Sequence, residues 1–445
     1  MTKPVAKSSP GEATIPGKIA GLLFGLWLTL VPVKFGNPII FGHLLGVPQN
    51  ASEALLGAWP VSWSLGALGV IAAATALVWK LRTRPPAWIS AALLIWFGWT
   101  LLSALRTVDG RLTQSTLLQF AGCVLCFGAG MFGLSNLRDC RPVWAGLILG
   151  MAIILGTALD QHFGGLEATR RWFQQQPAEL RARLDTPEFR KKILSDRVFG
   201  TFVYPNALAG GLLLLFPISL AGVLRLGRSA AFKWVLGGLL SAASLGALYW
   251  SGSKSGWLIA LLMAAFALWR LRASGSFKLA LLIGMLGLGV GAFYGRHSGY
   301  FDKGASSLSA RLDYWRAATR MIRERPFLGY GPGTFQRQYA ILKPPEAEMA
   351  KLAHNDYLEQ GCDSGLPALM AFTTFLLGSV FWLYRRSHLS GDRFALWLGV
   401  FAFAIQSVTE FALYIPGLAW TFFLFLGWLW GTQPPNEFDT PHGAS

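Results

Sequence analysis

Charge is scarce in this chain. Only 14% of its residues are Asp, Glu, Lys or Arg, against about a quarter in an average soluble domain. Beside 53% apolar residues, that scarcity excludes a soluble multidomain protein and a disordered chain, and collagen-like composition is excluded as well. Four cysteines in 445 residues do not make a disulfide framework. Cys123 and Cys126 form a C-x-x-C, but it lies inside an apolar stretch with no second ligand pair, so both are read as structural. There is no H-E-x-x-H, no Walker loop and no G-x-G-x-x-G after a strand. Zinc hydrolysis and nucleotide-driven pumping therefore have no support in the sequence.

What is abundant is aromatic and small: 31 Phe, 19 Trp and 51 Gly, suited to interface anchoring and to close helix contacts in lipid. Stretches of roughly 17 to 25 mainly apolar residues, the length that crosses a bilayer, occur at 18–34, 55–79, 87–105, 115–135, 142–160, 201–223, 232–250, 255–270, 277–294, 366–384, 393–412 and 415–431. The expectation is an all-α polytopic membrane protein of about 12 transmembrane helices, with short amphipathic helices in two long loops. It divides into a five-span region (1–160), a first long loop (161–200), a four-span region (201–294), a larger loop (295–365), a three-span region (366–431) and a tail (432–445). The span at 255–270 is the shortest and most exposed to error. Segment 38–47 is too short to cross and is expected to dip into the interface. The first apolar stretch is read as a retained span, because no small-residue cleavage pattern follows it.

The net charge of +17 would suggest nucleic acid in a soluble protein. Here it reports orientation, and no nucleic-acid partner is expected. With the N-terminus taken as cytoplasmic, the cytoplasmic segments carry 17 Lys and Arg and the short outer loops carry 4. This is the positive-inside pattern, from which long loops are exempt. Both termini are expected in the cytoplasm, and both long loops outside.

In the first loop, Thr186-Pro187-Glu188 reads as the N-cap, N1 proline and first-turn acid of a short helix, which would turn Phe189, Ile193 and Leu194 toward the bilayer or a neighbour. Arg197 sits at the outer end of a span, where an arginine commonly anchors the interface. Ser251-Gly-Ser-Lys254-Ser-Gly256 reads either as a tight turn with an interfacial lysine or as a cationic turn able to meet a phosphate. In the larger loop, Ser309 is expected to cap a helix whose apolar face is Leu312, Trp315, Ala318 or Thr319, and Ile322. Arg316, Arg320 and Arg323 share another face, suited to anionic headgroups or to a substrate, and Arg311 at the helix start points elsewhere. Gly329-Tyr-Gly-Pro-Gly-Thr-Phe335 lacks the lysine and the strand-to-helix setting of a phosphate loop and is read as a turn. His354 stands in a dense polar run, Ala353-His354-Asn355-Asp356-Tyr357-Leu-Glu359. Imidazole is the side chain best suited to exchanging a proton near neutral pH.

Together these pieces resemble the O-antigen ligase and O-antigen polymerase superfamily of bacterial surface-polysaccharide assembly. They are Arg197 with Gly200-Thr-Phe and Pro205-Asn206, the Ser251–Gly256 turn, Arg311-Leu-Asp-Tyr-Trp315, Pro326-Phe-Leu-Gly-Tyr-Gly-Pro-Gly333, His354-Asn355 with Gly365 eleven positions on, and Ser407-Val-Thr-Glu-Phe-Ala-Leu-Tyr-Ile-Pro416. The resemblance implies a GT-C-type glycosyltransferase that takes a glycan from an undecaprenyl-diphosphate carrier on the periplasmic side, with no metal and no cofactor. It assigns Arg197 and Arg311 to the diphosphate with Lys254 as a third cation, and His354 to the acceptor hydroxyl as general base. Asn355, Glu359 and Tyr357 support the histidine, since helical spacing favours Glu359 or Tyr357 over Asp356 for fixing its tautomer. Two features depart from the family pattern: Lys254 stands where arginine is common, losing the bidentate fork, and 165–195 is longer than expected.

The expected activity is O-antigen ligation onto lipid A-core, with polymerase and protein O-oligosaccharyltransferase as alternatives that share the motifs. A transporter of lipid-linked glycans is the non-enzyme alternative. It would be expected to bury charges mid-span and show internal repeats, whereas the sequence offers only Glu410 near a span end and no repeat between halves.

Overall fold

Within lipid, an apolar chain can satisfy its backbone hydrogen bonds locally only by forming helix. The computed structural model describes residues 14–81, 85–175, 179, 194–227, 229–270, 273–302, 306–386, 389 and 391–433, and among them it contains helices and turns with no strand. Each of the twelve apolar stretches is helical over most of its length. Among the described residues, eight helical segments are long and apolar enough to cross a membrane: Ile15–Lys34, Val61–Val78, Ala87–Arg106, Gly110–Asn136, Arg141–Gln175, Pro205–Leu226, Ala230–Ser251 and Asp356–Arg385. The protein is a polytopic membrane protein. We number the helices α1 (Ile15–Lys34), α2 (Ala51–Leu56), α3 (Ser64–Val78), α4 (Ala87–Ser103), α5 (Gly110–Phe132), α6 (Arg141–Asp160), α7 (Leu166–Gln175), α8 (Pro205–Leu226), α9 (Ala230–Ser251), α10 (Lys254–Arg270), α11 (Gly275–Asp302), α12 (Ser306–Glu324), α13 (Phe335–Leu342), α14 (Asp356–Arg386), α15 (Asp392–Gln406) and α16 (Pro416–Gly431).

The centre of the bundle is α16, whose residues from Pro416 to Gly431 are all buried. It lies against α5 at a separation only glycine permits. A Cβ on Gly427 would fall 2.0 Å from the Phe127 carbonyl oxygen, and one on Gly130 would fall 2.0 Å from that of Leu424. Small residues replace hydrophobic driving force with backbone contact in lipid. Being enclosed by protein, α16 tolerates its 16 residues without having to match the bilayer. Several tryptophans expected at interfaces also serve the core instead: Trp27, Trp96, Trp397 and Trp420 are fully buried. Each indole N–H has an acceptor, as burial requires. Trp96 donates to Gln360 Oε1 at 2.8 Å and Trp420 to the Gln119 carbonyl at 3.1 Å. Cys123 and Cys126 are buried and unbridged in α5.

The loops hold more helix than the sequence suggested. α6 passes through a π-turn at Gln161–Gly165, with Gly164 at φ 133°, into α7. The start of the first long loop is therefore an extension of a span. Segment 38–47 contains a 3-10 helix, Ile39–Leu44. The helix expected from Thr186 lies outside the described residues. α12 begins at Ser306, placing Ser309 inside it. Its packed face is Tyr314, Ala317, Ala318, Met321 and Ile322, while Leu312 is exposed, so the expected apolar face was out of phase on its N-terminal side. The reason is tertiary: α12 meets α13 and α14 along the Tyr314–Met321 side, and Leu312 and Trp315 instead share a shallow cleft with Arg316, Arg320 and Arg323.

Candidate active site

The glycine-rich turn after α12 is bound to the first half of α14. The Tyr330 and Gly331 amides donate to the Cys362 and Asp363 carbonyls at 3.1 and 2.8 Å, and the Gly333 amide donates to Asp363 Oδ2 at 2.6 Å. Two carbonyls and one carboxylate of the protein occupy these donors, which is the bonding of a turn. α14 is broken at Gly365, which has φ 83° and ψ 174°. A Cβ there would lie 2.1 Å from the Phe327 carbonyl oxygen, so only glycine fits both the left-handed backbone and the contact. The next amide, Leu366, donates to the Pro326 carbonyl at 2.7 Å. The Pro326–Gly333 and His354–Gly365 motifs are thus two halves of one joint.

At the other end of this half-helix, Asn355 and Glu359 act as a reciprocal cap. Asn355 Oδ1 accepts from the Leu358 amide at 3.0 Å, and the Glu359 carboxylate accepts from the Ala353 amide. Both therefore fix the backbone around His354, and Glu359 is not its carboxylate partner. Tyr357 points away and donates to the Ala404 carbonyl at 2.8 Å. His354 itself has φ 51°, the one positive φ at a non-glycine among the described residues, a sparsely populated conformation that persists only where its surroundings determine it. Its ring lies over Tyr314 at 5.7 Å and edge-on to Phe411 at 4.7 Å.

The residue that gathers the site is Glu410, in the turn between α15 and α16. Its Oε2 is 3.5 Å from His354 Nδ1. Its Oε1 accepts from Arg311 Nη2 at 2.5 Å and from Asn206 Nδ2 at 2.6 Å. Asn206 Oδ1 in turn accepts from Arg197 Nη2 at 2.8 Å. One buried carboxylate thus connects His354, Arg311 and Arg197. Asp356 holds the turn in register, since its amide donates to the Ser407 carbonyl at 2.7 Å and its Oδ2 accepts from the Leu413 amide at 3.1 Å. Burial alone would raise the Glu410 carboxyl, but the facing His354 imidazole, the Arg311 charge and the Asn206 amide outweigh it and hold the group below the usual carboxylate range.

Arg197 is steadied from two sides. Gln161 Oε1 accepts from the Phe199 and Gly200 amides at 2.9 and 2.8 Å, fixing the chain that follows it. Arg197 Nε donates to the Ser251 carbonyl at 2.6 Å, across the left-handed Gly252, where a Cβ would come 3.2 Å from that nitrogen. The Ser251–Gly256 turn therefore serves as the bed of Arg197. Lys254, half-buried at the start of α10, has its ammonium pushed below the usual lysine range by burial and by the charges of Arg197 and Arg311. Three cations from α10, α12 and the chain before α8 converge here. Arg316, Arg320 and Arg323 are exposed on the far side of α12, and two of them are paired, Arg316 with Asp313 at 3.1 Å and Arg320 with Glu324 at 2.9 Å. Among the described residues no group of three or more His, Cys, Asp or Glu is arranged to hold a metal ion.

The fold brings together Arg197, Arg311, Lys254 and His354, the residues singled out in the sequence, and sets Glu410 rather than Glu359 beside the histidine. Glu410 is 56 residues from His354 in the chain, and its only signal was its place in the Ser407–Pro416 stretch. No curated protein matches the chain. Residues 239–373, from α9 into α14, match the family described as O-antigen ligase; the match spans Lys254, Arg311, His354, Asn355 and Glu359, while Arg197, Asn206 and Glu410 lie beyond it. Over those residues, under a third of the chain, the protein is similar to the O-antigen ligase family, and the match includes three of the polar residues gathered here, Lys254, Arg311 and His354.

Proposed function

We propose that the protein transfers a glycan from an undecaprenyl-diphosphate carrier to an acceptor hydroxyl on the periplasmic face of the inner membrane, with lipid A-core as the acceptor. The observation that carries the reading is Glu410, which binds the base candidate and the cation clamp into one unit. The bond that breaks joins the anomeric carbon to the carrier's diphosphate, and its electron pair leaves on the diphosphate oxygen. Fixed cations aimed at developing charge are the usual source of such stabilisation, and Arg197, Arg311 and Lys254 fill that role without a metal. Arg311 uses Nε and Nη2 to reach the Thr409 carbonyl and Glu410, so its Nη1 side is available to an oxyanion.

The acceptor oxygen bonds to the anomeric carbon and releases its proton to His354. Glu410 faces Nδ1, favouring the tautomer with the proton there and leaving Nε2 as the acceptor. The carboxylate also stabilises the imidazolium that forms, the logic of a base oriented by a buried acid. The 3.5 Å spacing is long for a hydrogen bond, as unliganded sites often are before the reacting complex tightens them. Asn355 and Glu359 support His354 through its backbone.

Purified protein in proteoliposomes, given lipid-linked glycan together with lipid A-core, tests this. Glycan on lipid A-core supports the ligase reading. Elongated lipid-linked glycan with unmodified core would replace it with a polymerase, and glycan appearing only on protein would replace it with a protein O-oligosaccharyltransferase.

A further inference from the structure

A second cleft opens beside Arg197, and nothing in the chemistry above uses it. Its volume is about 370 Å³, within the range of about 300–1,000 Å³ typical of small-ligand sites. One wall is aromatic. His162 stacks on Trp250 at 3.9 Å with the rings 12° from parallel, and Tyr249 lies alongside. The lining also carries charged groups. Arg170, with its side chain only 19% exposed, donates to Asp196 Oδ1 at 2.6 Å and pairs with Glu167. Those carboxylates are themselves 84% and 60% exposed, and both line the cleft beside the guanidinium they hold.

The cleft and the clamp share their backbone. Asp196 lines the cleft and Arg197 the clamp; Trp250 lines the cleft and Ser251 holds Arg197. The two segments are joined where the Val198 amide donates to the Trp250 carbonyl at 3.3 Å. Neighbouring Cα atoms are about 3.8 Å apart, so residues that line the cleft and residues that hold the clamp adjoin along both segments. Two carboxylates around one arginine make a poor site for a second phosphate, and their exposed oxygens make a poor site for a lipid tail. Aromatic faces beside planar hydrogen-bonding groups suit a hydroxyl-rich ring, whose C–H faces lie on the rings while its hydroxyls meet carboxylate and guanidinium.

We propose that this cleft is a saccharide subsite, binding a pyranose unit next to the diphosphate. The inference rests on the glycosyltransferase reading, and two molecules could supply that sugar: the lipid-linked donor or the acceptor glycan.

The test measures binding, so it does not depend on turnover. Full-length protein in nanodiscs is titrated with undecaprenyl diphosphate, with undecaprenyl-diphosphate-linked glycan and with lipid A-core. His162→Ala and Glu167→Gln change exposed side chains, and Trp250→Ala removes the stacked ring. Loss of one ring contact or one charged hydrogen bond is expected to weaken a sugar about tenfold. A loss of that size for the glycan-bearing donor, with bare undecaprenyl diphosphate unchanged, assigns the subsite to the donor sugar. The same loss for lipid A-core alone assigns it to the acceptor. Changes under about threefold for both glycans, or an equal loss for the bare carrier, overturn the proposal. Arg197→Lys separates the two ideas: if it leaves binding of the bare carrier intact, the clamp reading fails, whatever the cleft variants do.

Discussion

Replacing Glu410 with glutamine alters one atom at the junction of the site. The carboxylate is 7% exposed and Arg311 17%, so removing the acceptor entirely would leave a nearly buried guanidinium unpaired, at a cost of about 3–5 kcal/mol. Glutamine avoids most of that, since its amide oxygen can still accept from Arg311 and Asn206. The amide nitrogen must then face His354 Nδ1. A nitrogen that accepts from an amide cannot carry the proton, so the imidazole proton moves to Nε2, where the acceptor hydroxyl is to be deprotonated. The variant is therefore predicted to fold and bind donor but to hold the wrong tautomer. General-base catalysis is worth about 10²–10⁴ in rate, and loss of the oriented tautomer sets kcat back by that order. The assay is transfer in proteoliposomes at saturating lipid-linked donor, with donor affinity measured separately. A Glu410→Gln enzyme whose kcat stays within about threefold of wild type would refute the reasoning, because the base would then be indifferent to its partner.

Lys254 carries a pH prediction. Its ammonium loses the proton below the usual lysine range, so kcat/KM for the donor should fall as pH rises through that lowered value; Lys254→Arg keeps the charge and should move the alkaline limb upward, and an unmoved limb rules Lys254 out as its origin. Cysteines placed at Gln175 and Glu346, both exposed, should react with an impermeant thiol reagent in intact cells from a background lacking native cysteine; reaction only after membrane disruption would reverse the topology and remove the periplasmic mechanism. Gly365→Ala should destabilise the protein by about 2–4 kcal/mol, from the left-handed backbone and the crowded Phe327 carbonyl, measured as thermal unfolding in detergent; an unchanged midpoint would mean the joint between the two motifs is soft.

The parts of the molecule legible in the sequence are those set by local composition. Length and hydropathy located the apolar helices because lipid demands continuous helix, while Arg197, Arg311 and Lys254 were tied to one site only through the family resemblance and His354 also by its dense polar run. What failed was whatever depends on the third dimension. Glu359 and Tyr357 were favoured over Asp356 as the histidine's support and Glu410 was not weighed against them, yet the Glu359 carboxylate is committed to the cap at Ala353. The phase of α12 was misjudged because both of its sides carry apolar residues, and only contact with α13 and α14 decides between them. α7 was read as loop because Glu167, Arg170 and Arg171 suppress hydropathy without breaking a helix. α16 was read as an ordinary span, and only its burial against α5 reveals it as the core.

The most direct test of the account is the transfer rate of His354→Asn. Asparagine tolerates the positive φ found at this position, so the backbone and the Asn355–Glu359 cap should survive, and an amide can orient a hydroxyl but cannot accept its proton. In proteoliposomes with saturating lipid-linked donor and lipid A-core, the account predicts a kcat lower by about 10²-fold or more, with donor affinity unchanged. A His354→Asn enzyme that transfers at the wild-type rate would contradict it.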